Sequence, residues 1–223
     1  MKCRVKKSEI VGEIECPPNK SYTHRAIFIA SLAIEKSIIK NVLRSEDTIA
    51  TIDACKNFGV QIDDIGNDVA VTSASELKIK SNTIDAANSG TTIRIATAIA
   101  SLADDKITLT GDSSLKKRPM QPLLDALESL GAQCSSSNGN PPISIKGRIK
   151  GGSVKIPGGM SSQFISALMI TAPKLEDGLV IDIDGKLVSK PYVDATITTM
   201  KIFGVDVEIK SPYKKYIIHE QNY

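Results

Sequence analysis

Three short polar segments carry residue types that bind anions, and each stands just ahead of an apolar, helix-forming run. They are residues 19–25 (NKSYTHR), 88–94 (NSGTTIR) and 159–164 (GMSSQF). Their Ser, Thr, Asn and Gly residues suit the start of a helix, where unpaired N–H groups and a partial positive charge attract anions. Arg25 and Arg94 follow one turn inside two of these helices. Together these features predict a site for phosphate and carboxylate groups, which arginine binds with two hydrogen bonds.

These segments recur at a nearly constant spacing, which indicates an internal repeat. Taking Ser21, Gly90 and Ser162 as equivalents gives steps of 69 and 72 residues. A second series, at steps of 72 and 73 residues, consists of the glycines that close three helical stretches: Gly59, Gly131 and Gly204. Glycine after a helix is a common left-handed cap, because it has no Cβ to clash there.

Each repeat is predicted to contain a polar loop, a helix, a strand, a charged loop, a second helix and a β-hairpin. This pattern is close to βαβαββ and places the protein in the α/β (α+β) class. We therefore expect three units around a pseudo-threefold axis, with some helices buried centrally. Residues 93–100 are almost entirely apolar, which favours burial on all sides of that helix. The symmetry would bring the helix starts, and their donors, to one side of the molecule.

Each motif also has a simpler explanation. Serines at helix starts are usually N-caps, and Arg25 or Arg94 could be solvated helix charges. Residues 116–118 (KKR) are typical of an exposed loop, with Pro119 as the first residue of a helix. His24 has no nucleophile or carboxylate beside it in the sequence and is expected to be structural. Any one loop is a weak signal; the recurrence of three loops at one period favours the anion site.

Composition argues against several classes of function. The formal net charge is only +3 and aromatic residues make up 4 % of the chain, which argues against nucleic-acid binding. Four dispersed cysteines and two histidines form no metal-ligand pattern, so no metal is predicted. The longest apolar stretch, residues 26–34, is too short to cross a bilayer, and the start lacks a signal-peptide pattern. We expect reduced cysteines and a cytoplasmic protein.

Five motifs, in order along the chain, resemble those of the enolpyruvyl transferases, and most closely those of the 5-enolpyruvylshikimate-3-phosphate (EPSP) synthase family. They are residues 17–26 (PPNKSYTHRA), 88–94, 117–120 (KRPM), 161–164 (SSQF) and 187–194 (LVSKPYVD). The resemblance implies transfer of the enolpyruvyl group of phosphoenolpyruvate to the 5-hydroxyl of shikimate 3-phosphate, with release of phosphate, on the route to chorismate and the aromatic amino acids. It implies no metal and no organic cofactor.

The resemblance also implies roles for individual residues toward shikimate 3-phosphate. Ser161, Ser162 and Ser189 would hold its phosphate. Its ring substituents and carboxylate would contact three residues: Ser21, Arg25 and Tyr192. Lys20 would border this substrate as well, and Gln163 would lie between the two substrates.

A second set of roles concerns phosphoenolpyruvate. Lys20, Gly90 and Arg118 would face this substrate, with Gln163 beside it, and Asn88 would shape the pocket. Lys20 and Arg118 are the predicted catalytic residues. Their charges would offset two anions that are forced together and would stabilise the departing phosphate.

Members of the family have two similar lobes and about twice this length. We therefore expect an N-terminal lobe, residues 14–223, made of repeats at about 14–82, 83–152 and 153–223, and a strand in residues 1–13 that belongs to the second lobe. The family's second lobe carries the groups for proton transfer, so this lobe alone is expected to bind substrate without turnover. We also expect a monomer.

Three alternatives remain open from the sequence. One is the related transferase acting on UDP-N-acetylglucosamine, although that enzyme usually has Lys-Asn where this chain has Lys20-Ser21. Another is an RNA-binding or RNA-end-processing module that uses the basic patches at residues 116–118 and 214–215. The third is a phosphate-binding module without catalytic activity.

Overall fold

The computed structural model describes residues 3–4, 6–9, 11–73 and 76–223. This part of the chain contains six α-helices: α1 (Lys20–Leu32), α2 (Glu46–Asn57), α3 (Gly90–Ala100), α4 (Gln121–Ser129), α5 (Ser162–Thr171) and α6 (Lys190–Ile202). Short 3-10 helices span Leu115–Lys117 and Ala172–Lys174. The strands are β1 (Ser37–Ile39), β2 (Gln61–Ile65), β3 (Asp68–Thr72), β4 (Thr83–Asp85), β5 (Ile107–Thr110), β6 (Gln133–Ser137), β7 (Asn140–Lys146), β8 (Gly152–Pro157), β9 (Leu179–Asp184), β10 (Glu208–Ser211) and β11 (Lys215–Ile218).

The second and third repeats have the same topology, as predicted. Their sheets have the strand orders β4-β5-β7-β6 and β8-β9-β11-β10. In each, the first two strands are parallel and flank a helix, and the closing hairpin pairs antiparallel with the second strand. Each of these units is therefore a complete βαβαββ motif.

The first repeat differs, because its sheet has only three strands in the described part of the chain, in the order β1-β3-β2. Residues 11–19, which precede α1, belong to no helix or strand, and residues 11–17 are exposed. The prediction that residues 1–13 form a strand of another lobe falls partly outside the described residues. The described ones in that range form no strand.

The first helix of every repeat (α1, α3 and α5) is mostly buried, as expected for helices at the centre of the fold. On α3, every residue from Ile93 to Ala100 except Arg94 is fully buried. Threonine hydroxyl groups in these helices donate hydrogen bonds to backbone carbonyls of the preceding turn. Thr97 donates to the Ile93 carbonyl at 2.6 Å and Thr171 to the Ala167 carbonyl at 3.0 Å. Each large aliphatic side chain buried here stabilises the fold by about 1.5–3 kcal/mol relative to exposure.

The three repeat glycines end their helices in the left-handed conformation, as predicted. Gly59, Gly131 and Gly204 have φ angles of 93°, 103° and 87°. Gly59 is the most constrained, because a Cβ there would lie 2.8 Å from the backbone oxygen of Lys78. Within the described residues, no helix is long and apolar enough to cross a membrane.

Candidate functional site

The helix starts use their polar side chains partly as caps. The Ser89 hydroxyl accepts the Thr92 N–H at 3.2 Å, and the Ser161 hydroxyl accepts the Gln163 N–H at 3.2 Å. Asn19 caps α1, so the neighbouring Ser21 is not the cap. The simpler explanation of these residues as N-caps is therefore correct for Ser89 and Ser161.

The start of α6 is different. Ser189 precedes the helix in a left-handed conformation, with φ 55° and ψ 42°, and its side chain makes no capping hydrogen bond. Its neighbour Val188 donates its N–H to the Gly158 carbonyl at 3.0 Å. This bond brings the loop that carries Ser189 next to the loop that leads to Ser161 and Ser162. The Ser189 hydroxyl is exposed and free of a capping role, whereas Ser162 is buried.

Four of the predicted site residues meet where α3, α5 and the loop before α4 come together. Arg118 donates from Nη2 to the Asn88 side-chain oxygen. Gln163 donates from Nε2 to the Thr91 hydroxyl at 2.9 Å. Gly90 lies between them: a Cβ built there would be 2.7 Å from Arg118 Nη1 and 3.7 Å from Gln163 Oε1. The missing side chain of Gly90 thus keeps open a space faced by donor groups.

A fifth residue, Arg94, reaches the same space, although the family resemblance assigns it no individual role. Its Nη1 donates to Gln163 Oε1 and lies 3.0 Å from the Cβ position of Gly90. The guanidinium also stacks over the Phe164 ring, 5.0 Å from its centroid. The solvated-charge explanation is therefore wrong for Arg94, whose exposed fraction is 8 %.

Arg25 is likewise buried, with 1 % exposure, and it braces α1 against α6. Its Nε donates to the Thr196 hydroxyl at 2.7 Å, its Nη1 to the Ser21 carbonyl at 2.9 Å and its Nη2 to the Tyr192 carbonyl at 3.0 Å. Burial lowers the pKa of Arg25 to about 10, which leaves it charged at neutral pH. Arg25 therefore joins Ser21 and Tyr192 by hydrogen bonds to their backbone carbonyls, and not to their side chains. Tyr192 itself remains half exposed.

Lys20 is exposed and forms an ion pair that the sequence did not reveal. Its Nζ lies 2.8 Å from Asp47 Oδ2 on α2, 27 residues away in the chain. The Lys20 side chain is 52 % exposed. The carboxylate of Asp47, on α2, is therefore the counter-ion of Lys20, the predicted catalytic cation.

A buried chain of hydrogen bonds runs behind these residues. His24 Nδ1 lies 2.7 Å from the Thr51 hydroxyl, which lies 2.7 Å from the Thr92 hydroxyl, which donates to the Ser89 hydroxyl at 2.7 Å. Burial lowers the pKa of His24 to about 4, although the negative charge of Asp47 acts to raise it. His24 is thus a neutral structural residue, as predicted, and it links α1, α2 and α3.

A cavity lies at the opposite ends of the helices. It has a volume of about 700 Å³ and is lined by residues at the ends of α1 and α3 together with Arg148 and Lys174. None of the predicted site residues lines it. No group of side chains that could hold a metal ion occurs among the residues that the structure describes.

Comparison with known proteins identifies the family. The model of the EPSP synthase (3-phosphoshikimate 1-carboxyvinyltransferase) family matches residues 5–222. A 3-phosphoshikimate 1-carboxyvinyltransferase of Nitrosopumilus maritimus is 58 % identical over 223 residues, which are 100 % of this chain and 53 % of the relative. One from Methanothermobacter thermautotrophicus is 45 % identical over 205 residues, which are 91 % of this chain and 49 % of the relative.

A solved structure has the same fold. EPSP synthase from Acinetobacter baumannii superposes with a TM-score of 0.82 at 27 % identity, covering 95 % of this chain and 47 % of that one. The chain thus spans about half the length of the relatives it matches, and its three units form one lobe of their fold. Motifs, fold and comparisons agree, and the chain belongs to the EPSP synthase family.

Proposed function

We propose that this chain is the substrate-binding half of a 3-phosphoshikimate 1-carboxyvinyltransferase, with residues 14–223 as the lobe. The main support is the space beside Gly90, into which the donors of Arg118 and Arg94 converge. Such a space suits an anion with several oxygen atoms, and phosphoenolpyruvate carries both a phosphate and a carboxylate. Asn88 and Gln163 flank it and supply neutral hydrogen-bonding groups.

Shikimate 3-phosphate would bind beside this space, along the starts of α5 and α6. Ser189 offers a free hydroxyl, and Ser161 stands at the neighbouring helix start. Arg25 makes four hydrogen bonds to protein acceptors, so its proposed role is to hold Ser21 and Tyr192 in place next to the substrate. Ser162 contributes its backbone N–H at the start of α5, where the helix dipole favours phosphate.

In the proposed reaction, the 5-hydroxyl of shikimate 3-phosphate gives its proton to a base while its oxygen adds to C2 of phosphoenolpyruvate, and an acid protonates C3. The tetrahedral intermediate then loses a proton from C3 and expels phosphate, which forms the enol ether of the product. Lys20 and Arg118 would stabilise the negative charge on the phosphate as it leaves. The proton-transfer groups would come from residues beyond this chain, and a cytoplasmic, monomeric protein without cofactor remains our prediction.

Titration of the 15N-labelled chain with shikimate 3-phosphate, followed by phosphoenolpyruvate, tests this function. We expect amide shifts at Ser161, Gln163 and Ser189 with the first ligand, and at Gly90 only when the second is added. Glucose 6-phosphate, at the same concentration, serves as the control for a general phosphate site. Equal shifts with both phosphate esters would refute the substrate assignment and favour a non-catalytic phosphate-binding module.

A further inference from the structure

A second cavity, with a volume of about 370 Å³, lies on the sheet of the second repeat. The residues that line it belong to β6 and β7 or directly precede β5, and no predicted site residue is among them. Both charged residues of this lining are lysines. The full set is Lys106, Gln133, Cys134, Ser135, Ser144 and Lys146.

The register of the sheet places the polar side chains of this set on its outer face. Along β7, buried residues alternate with Ser144 and Lys146, which therefore point away from the core. Ser135 on β6 stands opposite Ser144, and Gln133 stands opposite Lys146. Two hydroxyl groups, an amide and an ammonium group thus lie together on neighbouring strands.

The second lysine comes from the other side of β7. Ile107 on β5 pairs with Ile145, so the antiparallel register puts Lys106 opposite Lys146. Neither lysine forms a salt bridge with any residue that the structure describes. Like charges directly opposite each other on a sheet are destabilising. An anion held between the two ammonium groups would remove that repulsion.

A buried hydroxyl beside the lysines points to a ligand independently. The Ser144 Oγ is buried and has no hydrogen-bond partner among the described residues. Burying a hydroxyl without a hydrogen bond is costly, and an anion is an acceptor that would satisfy it. Lys146, two residues along the same strand, has a flexible four-carbon stem that can turn aside to admit a ligand.

The corresponding strands of the other two sheets are arranged differently. In the third repeat, Asp182 on β9 stands opposite Lys215 on β11, and the two form an ion pair at 3.2 Å. In the first repeat, the exposed Ile38 stands opposite Ala70. The βαβαββ fold therefore does not itself require two adjacent cations on this face, which favours a ligand as their explanation.

We infer that the outer face of the second sheet binds a doubly charged oxyanion of the phosphate type between Lys106 and Lys146. The two ammonium groups balance its charge, and the hydroxyls of Ser135 and Ser144 and the amide of Gln133 supply further donors. The inference goes beyond the proposed function and does not depend on it, since no residue assigned to either substrate takes part.

Titration of the 15N-labelled, 223-residue chain with inorganic phosphate tests this site, with sodium chloride at the same ionic strength as the control. We expect the amide signals of Ser135, Ser144 and Lys146 to shift along one saturating curve. The amide of Gly90 reports on the proposed substrate site, so the two sites are followed separately. Shifts at the three amides no larger than those with sodium chloride would overturn the inference.

Variants test the contribution of individual side chains. Lys146→Gln should weaken phosphate binding, followed at the Ser144 amide, about 5- to 10-fold and leave the response of Gly90 unchanged. Lys155→Gln, at an exposed lysine that already pairs with Asp184, is the matched control and should change neither response. Ser144→Ala should also weaken binding without lowering the urea midpoint, because it removes an unpaired hydroxyl. Unchanged affinity in both Lys146→Gln and Ser144→Ala would overturn the inference.

Two further ligands identify the source of the anion and separate this site from the proposed function. Tighter binding of inorganic phosphate than of glucose 6-phosphate indicates a free ion, and the reverse order indicates a phosphorylated metabolite; either supports the site. If phosphate shifts Ser144 but shikimate 3-phosphate does not shift Ser189, the oxyanion site stands and the proposed function fails. The opposite result overturns the oxyanion site alone.

Discussion

Protonation of His24 should destabilise this fold, and the size of the effect follows from its surroundings. The imidazole is 1 % exposed, its Nδ1 contacts Thr51, and its Nε2 is buried without a partner. The charged groups that face it are Asp47, Lys20 and Arg25. In the favoured tautomer Nδ1 donates to Thr51, so a second proton would create a buried, unpaired N–H at Nε2. A charged imidazole is therefore disfavoured in the folded chain.

The sign and magnitude come from proton linkage. The pKa of His24 is about 4 in the folded protein, against 6.5 for an exposed histidine. Between these values the unfolded chain binds more protons, so the free energy of unfolding falls as the pH falls. The loss contributed by His24 is about 2 kcal/mol between pH 7 and pH 5, and about 3 kcal/mol once the pH is below 4.

Urea unfolding followed by far-ultraviolet circular dichroism measures this effect at pH 7 and pH 5. His24→Asn removes the titrating group while keeping a short polar side chain, so its pH-dependent loss should be about 2 kcal/mol smaller than that of the unmodified chain. Carboxylates also titrate in this range, and comparison of the two proteins removes their common contribution. His219→Asn, at an exposed histidine, serves as the control. Equal losses for His24→Asn and the unmodified chain would refute the reasoning.

Three substitutions test other parts of the site. Gly90→Ala places a Cβ 2.7 Å from Arg118 Nη1, so phosphate binding should weaken about 10-fold while stability changes by less than about 1 kcal/mol, as titration and urea unfolding would show. Ser89→Ala removes the cap of α3 and should lower the free energy of unfolding by about 1 kcal/mol in the same urea assay. Asp47→Asn frees Lys20 from its exposed ion pair. Phosphate affinity at low salt should then rise about 2- to 5-fold and the gain should disappear at high salt, with little change in stability.

The parts of the fold that depend on local chemistry were predictable from the sequence. The left-handed position that ends a helix favours glycine, so Gly59, Gly131 and Gly204 identified the three units. The apolar run of residues 93–100 likewise predicted a buried helix. The residues ahead of α1 do not by themselves predict their lack of a strand partner, because the pairing of a strand depends on the neighbour available to it. Only the family resemblance assigned residues 1–13 to a second lobe.

The burial of Arg25 and Arg94 also could not be predicted from the sequence. Arg25 and Arg94 occupy matching positions one turn into their helices, a place that fits a solvated charge equally well. Their burial results from packing against α6 and α5, which lie far along the chain. The partner of Lys20 was hidden for the same reason, since Asp47 belongs to another helix. A motif identifies which residue types are present, whereas tertiary packing decides which of them face a ligand.

The repeat explains why one site can contain such different groups. Three similar helix starts give three similar backbones, and each contributes a different group to the site, although not from the same repeat position: a cation at Lys20, no side chain at Gly90 and a neutral amide at Gln163. The amide matters because it accepts from Arg94 and donates to Thr91 without adding charge. A carboxylate there would neutralise Arg94 and repel the phosphate, whereas a third cation would add to the repulsion between Arg94 and Arg118. A neutral residue at this position therefore leaves the charge of both arginines available to the ligand.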